Sequence, residues 1–173
     1  MDIRKVIRTI PDWPKEGIMF RDITTLLLHP EAFKYTIDKL VEHYKDTGIT
    51  HIAGIESRGF IFGSVLAKEL SLPFVIIRKP GKLPADVVSQ EYELEYGSDK
   101  IEMHKDAIKA GDKVLIVDDL IATAGTLKAA IKLVEKVGGK VISCAVIIEL
   151  SDLKGRELVG DYDLFSLVQY EGE

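Results

Sequence analysis

The chain has 173 residues, of which 46% are hydrophobic and 29% charged, and its 23 basic and 28 acidic residues give a net charge of −5. This length is typical of one domain with a sizeable core, and the composition argues against disorder. The acidic balance argues against a general nucleic-acid-binding protein but leaves room for a local basic site. The single cysteine, Cys144, excludes an intramolecular disulfide framework and a cysteine-based zinc site.

The sequence indicates neither a membrane partner nor a secretory signal. Its longest apolar run, residues 141–148, is far shorter than the roughly 18 apolar residues of a membrane helix. The first eleven residues contain no apolar stretch of the kind found in signal peptides. We therefore expect a cytoplasmic protein.

Helices and strands are predicted to alternate along the chain. Residues 1–20 contain three prolines or glycines and should be mostly irregular after a short first helix. The spacing of apolar residues predicts the remaining elements. In chain order these are a helix over 33–44, a strand over 49–55, a helix over 59–70, a strand over 73–77, a long loop over 79–90, a hairpin of strands 92–96 and 100–104, a strand over 113–117, a helix over 127–137 and strands over 141–150 and 165–170.

This alternation indicates βαβ units and a mainly parallel sheet, and the continuous apolar strands indicate that both faces of the sheet are covered. Ligands in such folds bind at the carboxyl ends of the strands. We therefore expect the chemistry just after Ile55, Ile77 and Val117.

The clearest functional signal is residues 114–126, Val-Leu-Ile-Val-Asp-Asp-Leu-Ile-Ala-Thr-Ala-Gly-Thr. An apolar strand is expected to end in two carboxylates, and a loop of small and hydroxyl residues then opens a helix. The N–H groups of a helix N-terminus attract anions, which favours phosphate binding here. The segment is neither a Walker A loop nor GxGxxG. The predicted phosphate cradle consists of Ala122, Thr123, Ala124, Gly125 and Thr126.

The neighbouring Asp118 and Asp119 would repel a phosphate, so we expect them to bind ribose hydroxyls or to lie near a magnesium ion. A ribose 5-phosphate fits both halves of the segment. The alternative is a plain strand end followed by a helix cap at Thr126.

Residues 117–126 resemble the phosphoribosyl pyrophosphate (PRPP) motif of the type I phosphoribosyltransferases. Segments 11–24, 54–60 and 78–84, continued by 94–97 and 101–104, resemble the adenine-specific branch of that family. The resemblance covers almost the whole chain. It implies the type I phosphoribosyltransferase fold in one domain over 1–173: a mainly parallel central sheet flanked by helices, a small N-terminal base-binding hood over 1–30, and a flexible loop or hairpin with flanking strands over 78–104.

The resemblance also assigns residues to the pyrophosphate group, and their charges agree with that role. If the resemblance is set aside, the alternatives are a salt bridge at a helix start for Arg58 and a solvated basic loop for Arg78, Lys79 and Lys82. The family further places a cis peptide between Glu56 and Ser57. Ala124 stands where many members have a second glycine, which is tolerable if its φ is negative. The expected pyrophosphate-binding residues are Glu56, Ser57, Arg58, Arg78, Lys79 and Lys82.

For adenine, the resemblance points to the segment that contains Met19, Phe20 and Arg21, with Leu120 and Ile121 as the opposite apolar wall. Without the resemblance, Phe20 would be interpreted as a core residue from its residue type alone. Glu95, with Asp118 and Asp119, is the catalytic assignment, since a carboxylate can stabilise a cationic ribosyl centre or handle the purine proton. The alternative for Glu95 is a surface strand residue.

The activity implied is that of a pentosyltransferase of purine salvage, which forms AMP and pyrophosphate from adenine and PRPP. The resemblance also implies that Mg²⁺ arrives with PRPP, near Asp118 and Asp119. The four histidines have no metal-ligand spacing and are expected to be structural or surface residues. A homodimer is expected, because family members are commonly dimers. Two alternatives stay open at this point: a transferase for a 6-oxo purine such as xanthine, and a transcription regulator that kept the PRPP site as a sensor.

Overall fold

The structure is a computed structural model, and residues 1–172 are described. These residues form nine strands and five α-helices, with short 3₁₀ turns at Ile3–Lys5 and Ser151–Leu153. In chain order the elements are β1 (Arg8–Pro11), β2 (Met19–Asp22), α1 (Thr24–Leu27), α2 (Pro30–Tyr44), β3 (His51–Ile55), α3 (Arg58–Leu70), β4 (Phe74–Ile77), β5 (Val87–Glu93), β6 (Ser98–His104), β7 (Lys113–Ile121), α4 (Gly125–Lys136), β8 (Lys140–Leu150), α5 (Gly155–Val159) and β9 (Leu164–Tyr170).

The central sheet has five parallel strands in the order β4-β3-β7-β8-β9. Its strands carry apolar residues on both faces because each face is covered. On β7, Leu115 and Val117 pack in one core cluster with residues of α2 and α3, such as Phe62. Val114 and Ile116 pack in the other cluster, which includes residues of α4. The predicted parallel sheet with both faces covered is confirmed.

The N-terminal region differs from the prediction of mostly irregular chain. Strands β1 and β2 pair antiparallel, from Arg8 opposite Asp22 to Pro11 opposite Met19. The turn between them is closed by the Gly17 N–H, which donates to Asp12 Oδ1 at 2.9 Å. The short first helix is present as the 3₁₀ turn Ile3–Lys5. Proline and glycine in this segment therefore mark a hairpin turn rather than an irregular stretch.

The predicted hairpin after β4 is present, but it is longer than expected and its turn lies earlier. Strand β5 begins at Val87, inside the stretch predicted as a loop, and pairs with β6 from Val87 opposite His104 to Glu93 opposite Ser98. The turn comprises residues 94–97 instead of 97–99. The hairpin packs on α4, where Lys136 Nζ donates to the Ser89 carbonyl at 2.5 Å.

No helix within residues 1–172 is long and apolar enough to cross a membrane.

Candidate active site

A cavity of about 870 Å³ opens at the carboxyl ends of β3, β4 and β7. This is the edge of the sheet at which the topology predicted the chemistry. Most of the residues assigned from the sequence line it together. They are Glu56, Ser57, Arg58, Arg78, Lys79, Glu95, Asp118, Asp119, Leu120, Ile121, Ala122, Thr123, Ala124, Gly125 and Thr126.

The predicted phosphate cradle surrounds the N-terminus of α4. The helix begins at Gly125, and its N-cap is Ala124, which offers no side-chain hydrogen bond to the first turn. The first N–H groups of α4 therefore have no side-chain cap and are available to an anion. The alternative of a plain cap at Thr126 is wrong, because Thr126 lies inside the helix.

Ala124 has a φ of +68°, so the condition of a negative φ is not met. The left-handed region is sterically costly for a residue with a Cβ atom, by roughly 1–2 kcal/mol. The loop thus holds an alanine in the conformation that glycine adopts most easily.

Gly155, which was not predicted to be a functional residue, packs against the backbone of the cradle. A Cβ atom at Gly155 would lie 2.4 Å from the Ala122 carbonyl oxygen and 2.8 Å from Ile121 Cγ1. The start of α5 therefore packs directly on the backbone of the cradle. The sequence signal was weak, since Lys-Gly-Arg after a strand is also an ordinary turn.

The two aspartates lie within β7 rather than at its end, because β7 stays paired with β8 as far as Ile121 opposite Glu149. Asp119 is 5% exposed and accepts a hydrogen bond from Arg58 Nε at 2.5 Å. Asp118 Oδ1 accepts the Asp119 N–H at 2.9 Å. Burial raises the pKa of Asp118 well above its usual range, and the charge of Asp119 adds to this effect.

The carboxylate of Glu56 contacts three of the basic residues that were assigned to pyrophosphate. It accepts the Lys79 backbone N–H at 2.8 Å and Arg78 Nη2 at 3.2 Å, and it also pairs closely with Lys82. Burial alone would raise the pKa of Glu56, but these hydrogen bonds outweigh it and lower the pKa to about 2. Glu56 thus acts here as an anchor for cations. The peptide between Glu56 and Ser57 is cis, as the resemblance implied.

The side chain of Lys79 extends toward the β5–β6 hairpin. Its Nζ donates to the Tyr92 hydroxyl at 2.8 Å and pairs closely with Asp99. Sequence reasoning missed Tyr92 and Asp99, although Asp99 lies next to the recognised 94–97 segment. Glu95 lies in the exposed turn of the same hairpin and lines the cavity.

The residues assigned to the base lie in two places. Leu120 and Ile121 line the cavity, whereas Met19, Phe20 and Arg21 lie on β2, outside its lining. Phe20 packs edge-on against Trp13 with ring centroids 4.5 Å apart. The Arg21 guanidinium donates to Thr9 Oγ1 at 2.7 Å and lies over the Tyr170 ring. The role of this strand in base binding stays a prediction.

Within residues 1–172, no group of three or more His, Cys, Asp or Glu side chains has the arrangement of a metal site. The assignment of Mg²⁺ to the substrate stays a prediction.

Comparison with known proteins identifies the family. A model of the phosphoribosyl transferase domain matches residues 22–172. Adenine phosphoribosyltransferase 1 of Triticum aestivum is 60% identical over 167 residues, which cover 96% of this chain and 92% of that protein. The chain belongs to the adenine phosphoribosyltransferase family. The predicted resemblance is confirmed over nearly its whole length.

Solved structures of adenine phosphoribosyltransferases also share the fold. The crystal structure from Thermoanaerobacter pseudethanolicus is 50% identical, covers 98% of both chains and has a TM-score of 0.94. The Saccharomyces cerevisiae structure, complexed with adenine and an imino-altritol bisphosphate, is 40% identical, covers 96% of this chain and 97% of that one, and has a TM-score of 0.90. The adenine phosphoribosyltransferase fold predicted from the sequence is therefore confirmed.

Proposed function

We propose that this chain is an adenine phosphoribosyltransferase, which transfers the 5-phosphoribosyl group of PRPP to N9 of adenine and forms AMP and pyrophosphate in purine salvage. The observation that carries the proposal is the cavity itself, which joins an uncapped helix N-terminus, two carboxylates and a basic cluster. Family membership selects the reaction, and the Saccharomyces cerevisiae relative binds adenine in its crystal structure. The substrates are small molecules.

The 5-phosphate of PRPP binds at the cradle of residues 122–126. The N–H groups of the first turn of α4 donate to its oxygens, and Thr123 and Thr126 add hydroxyl donors. Because these donors belong to the backbone of a helix that is packed on the sheet, they hold the ribose in one place relative to β7.

Asp118 and Asp119 lie next to the cradle and form hydrogen bonds with the ribose hydroxyls. Carboxyl oxygens of the pair accept hydrogen bonds from these hydroxyls, and negative charge on the pair stabilises the positive charge that develops at C1 as the bond to pyrophosphate breaks. The new bond forms between C1 and N9 on the opposite face, with inversion at C1.

The leaving pyrophosphate is neutralised by Arg58, Arg78, Lys79 and Lys82. Mg²⁺ carried by PRPP would reduce the charge of the same group, with Asp118 and Asp119 nearby. Arginine contributes paired donors to phosphate oxygens, and lysine contributes mobile point charges. The hairpin over the cavity excludes water, which would otherwise compete with adenine for the activated sugar.

The base is positioned between Leu120 and Ile121 on one side and the β2 segment with Met19, Phe20 and Arg21 on the other. Backbone groups of that segment read the 6-amino edge of adenine. A 6-oxo purine would leave buried groups unpaired at a cost of roughly 1–3 kcal/mol each. Glu95, on the hairpin turn, takes up the proton that N9 loses.

The test is a base panel with PRPP and magnesium, in which adenine, hypoxanthine, guanine and xanthine are offered in turn and nucleotide and pyrophosphate are measured. We expect AMP from adenine alone. Product from an oxo-purine would overturn the base assignment and favour the 6-oxo alternative. Binding of PRPP without turnover of any base would favour the sensor.

We further propose that the protein acts in the cytoplasm as a homodimer. Sedimentation equilibrium of the full chain should give twice the 19.3 kDa mass of one chain. A single species at 19.3 kDa would contradict the dimer.

A further inference from the structure

The basic side chains around the cavity are each held by a carboxylate. Arg58 is paired with Asp119, and Arg78 and Lys82 with Glu56. Both of these acids lie at the sheet, on β7 or directly after β3. Lys79 differs, because its acid, Asp99, lies on the β5–β6 hairpin.

Lys79 therefore connects two parts of the structure. Its backbone N–H is fixed by Glu56 at 2.8 Å, whereas its ammonium group is held by the hairpin. On the hairpin, Tyr92 and Asp99 are directly opposite each other on paired strands, and the Tyr92 hydroxyl donates to Asp99 at 3.2 Å. The ammonium lies 5.4 Å from the centre of the Tyr92 ring, within the range of a cation–π contact.

The Lys79 ammonium cannot form its full set of hydrogen bonds with both Asp99 and a pyrophosphate at the same time. It has three protons on a flexible stem, and two of them are directed to Tyr92 and Asp99. A pyrophosphate carries more negative charge than one carboxylate and would draw the ammonium away. The side chains of Lys79 and Asp99 are 40% and 32% exposed, so the existing pair is weak enough to be exchanged.

We propose that Asp99, oriented by Tyr92, competes with the pyrophosphate group of PRPP for the Lys79 ammonium and so lowers the affinity of the site for pyrophosphate. The inference rests on the proposed function, because it assumes that pyrophosphate occupies this part of the cavity. Asp99 is a positioning residue, because it acts through Lys79. When Lys79 leaves Asp99 for pyrophosphate, the hairpin loses this contact, so the contact depends on whether the site is occupied.

The test compares Asp99→Asn with wild type by titration calorimetry, with magnesium pyrophosphate as the ligand. Removing the competing charge should make pyrophosphate bind roughly two- to five-fold more tightly, the scale of one partly exposed ion pair. The KM for PRPP should fall in parallel. Asp99→Glu restores the carboxylate and should return the affinity toward that of wild type.

Two controls separate competition from a general change in charge. Glu91→Gln removes one charge from β5, where Glu91 faces Lys100, and should leave the affinity within experimental error of wild type. In a Lys79→Met background, Asp99→Asn should have no effect, because the side chain through which it acts is gone. An equal gain in Glu91→Gln, or a gain that persists without Lys79, would overturn the proposal.

Turnover of adenine by the wild-type protein separates this inference from the proposed function. AMP formation together with unchanged pyrophosphate affinity in Asp99→Asn would leave the function standing and refute the competition. Tighter pyrophosphate binding without AMP formation by wild type would support the competition and refute the function. Thermal unfolding of Asp99→Asn checks that the variant is folded.

Discussion

Replacement of Glu56 by glutamine tests whether the cation cluster is organised by one charge. The Glu56 side chain is 12% exposed and accepts hydrogen bonds from Lys82, Lys79 and Arg78. Burial opposes its ionisation, yet the pKa falls from the usual 4.5 to about 2. The full pKa difference would correspond to roughly 3 kcal/mol of stability at neutral pH, but Lys82 is 45% exposed and solvent screens its charge, so we expect about 1–2 kcal/mol. Glu56→Gln keeps the shape and removes the charge, so it should cost about that amount.

The contribution of Glu56 to the free energy of unfolding depends on pH. Because the folded pKa lies below the unfolded one, the stabilisation is complete above about pH 4.5 and is lost as the pH falls toward 2. Urea unfolding of wild type and Glu56→Gln at neutral pH and near pH 3 should therefore give a large difference and then a smaller one. The control is Glu42→Gln, which breaks an exposed pair with Lys39 on α2 and should change nothing measurable. Equal losses from Glu56→Gln at both pH values would refute the reasoning.

Three further variants test the cradle and the aspartates. Replacing Asp118 and Asp119 together by asparagine should lower turnover by about a hundredfold or more, the scale of a preorganised charge, with an unchanged circular dichroism spectrum; wild-type rates would contradict the assignment. Gly155→Ala places a methyl group 2.4 Å from the Ala122 oxygen and should cost about 1–3 kcal/mol in urea unfolding and raise the KM for PRPP; an unchanged KM would show that α5 does not position the cradle. Ala124→Gly relieves a φ of +68° and should raise stability by up to about 1 kcal/mol, since greater freedom of the unfolded chain offsets part of the gain; a clear loss of stability would argue against strain at this position.

The central sheet was predictable because its strands are continuous apolar runs. The predicted strand over 141–150 is observed as Lys140–Leu150, and that over 165–170 as Leu164–Tyr170. Prediction failed where polar residues lie inside a strand. Asp118 and Asp119 seemed to end β7, yet the strand continues, because β8 pairs with it and Arg58 compensates the buried charge of Asp119.

The residue types of the candidate site were predictable, whereas their pairing was not. Basic residues in a short loop indicate an anion, and small residues at a helix start indicate a phosphate. The acid that each cation contacts is set by the fold: Arg58 and Asp119 are 61 positions apart, and Arg78 and Glu56 are 22 apart. Asp99 was passed over for the same reason, since only the hairpin register places it at Lys79.

These pairings imply that the two ends of PRPP meet different conditions in the cavity. At the cradle, the first N–H groups of α4 have no side-chain cap at Ala124 and can bind a phosphate directly. At the pyrophosphate end, the cations must first exchange partners, because Glu56, Asp99 and Asp119 already hold them. Ribose 5-phosphate should therefore bind with an affinity that Asp99→Asn does not change, whereas the affinity for pyrophosphate increases. A parallel change for both ligands would show instead that Asp99 acts on the whole cavity through its charge alone.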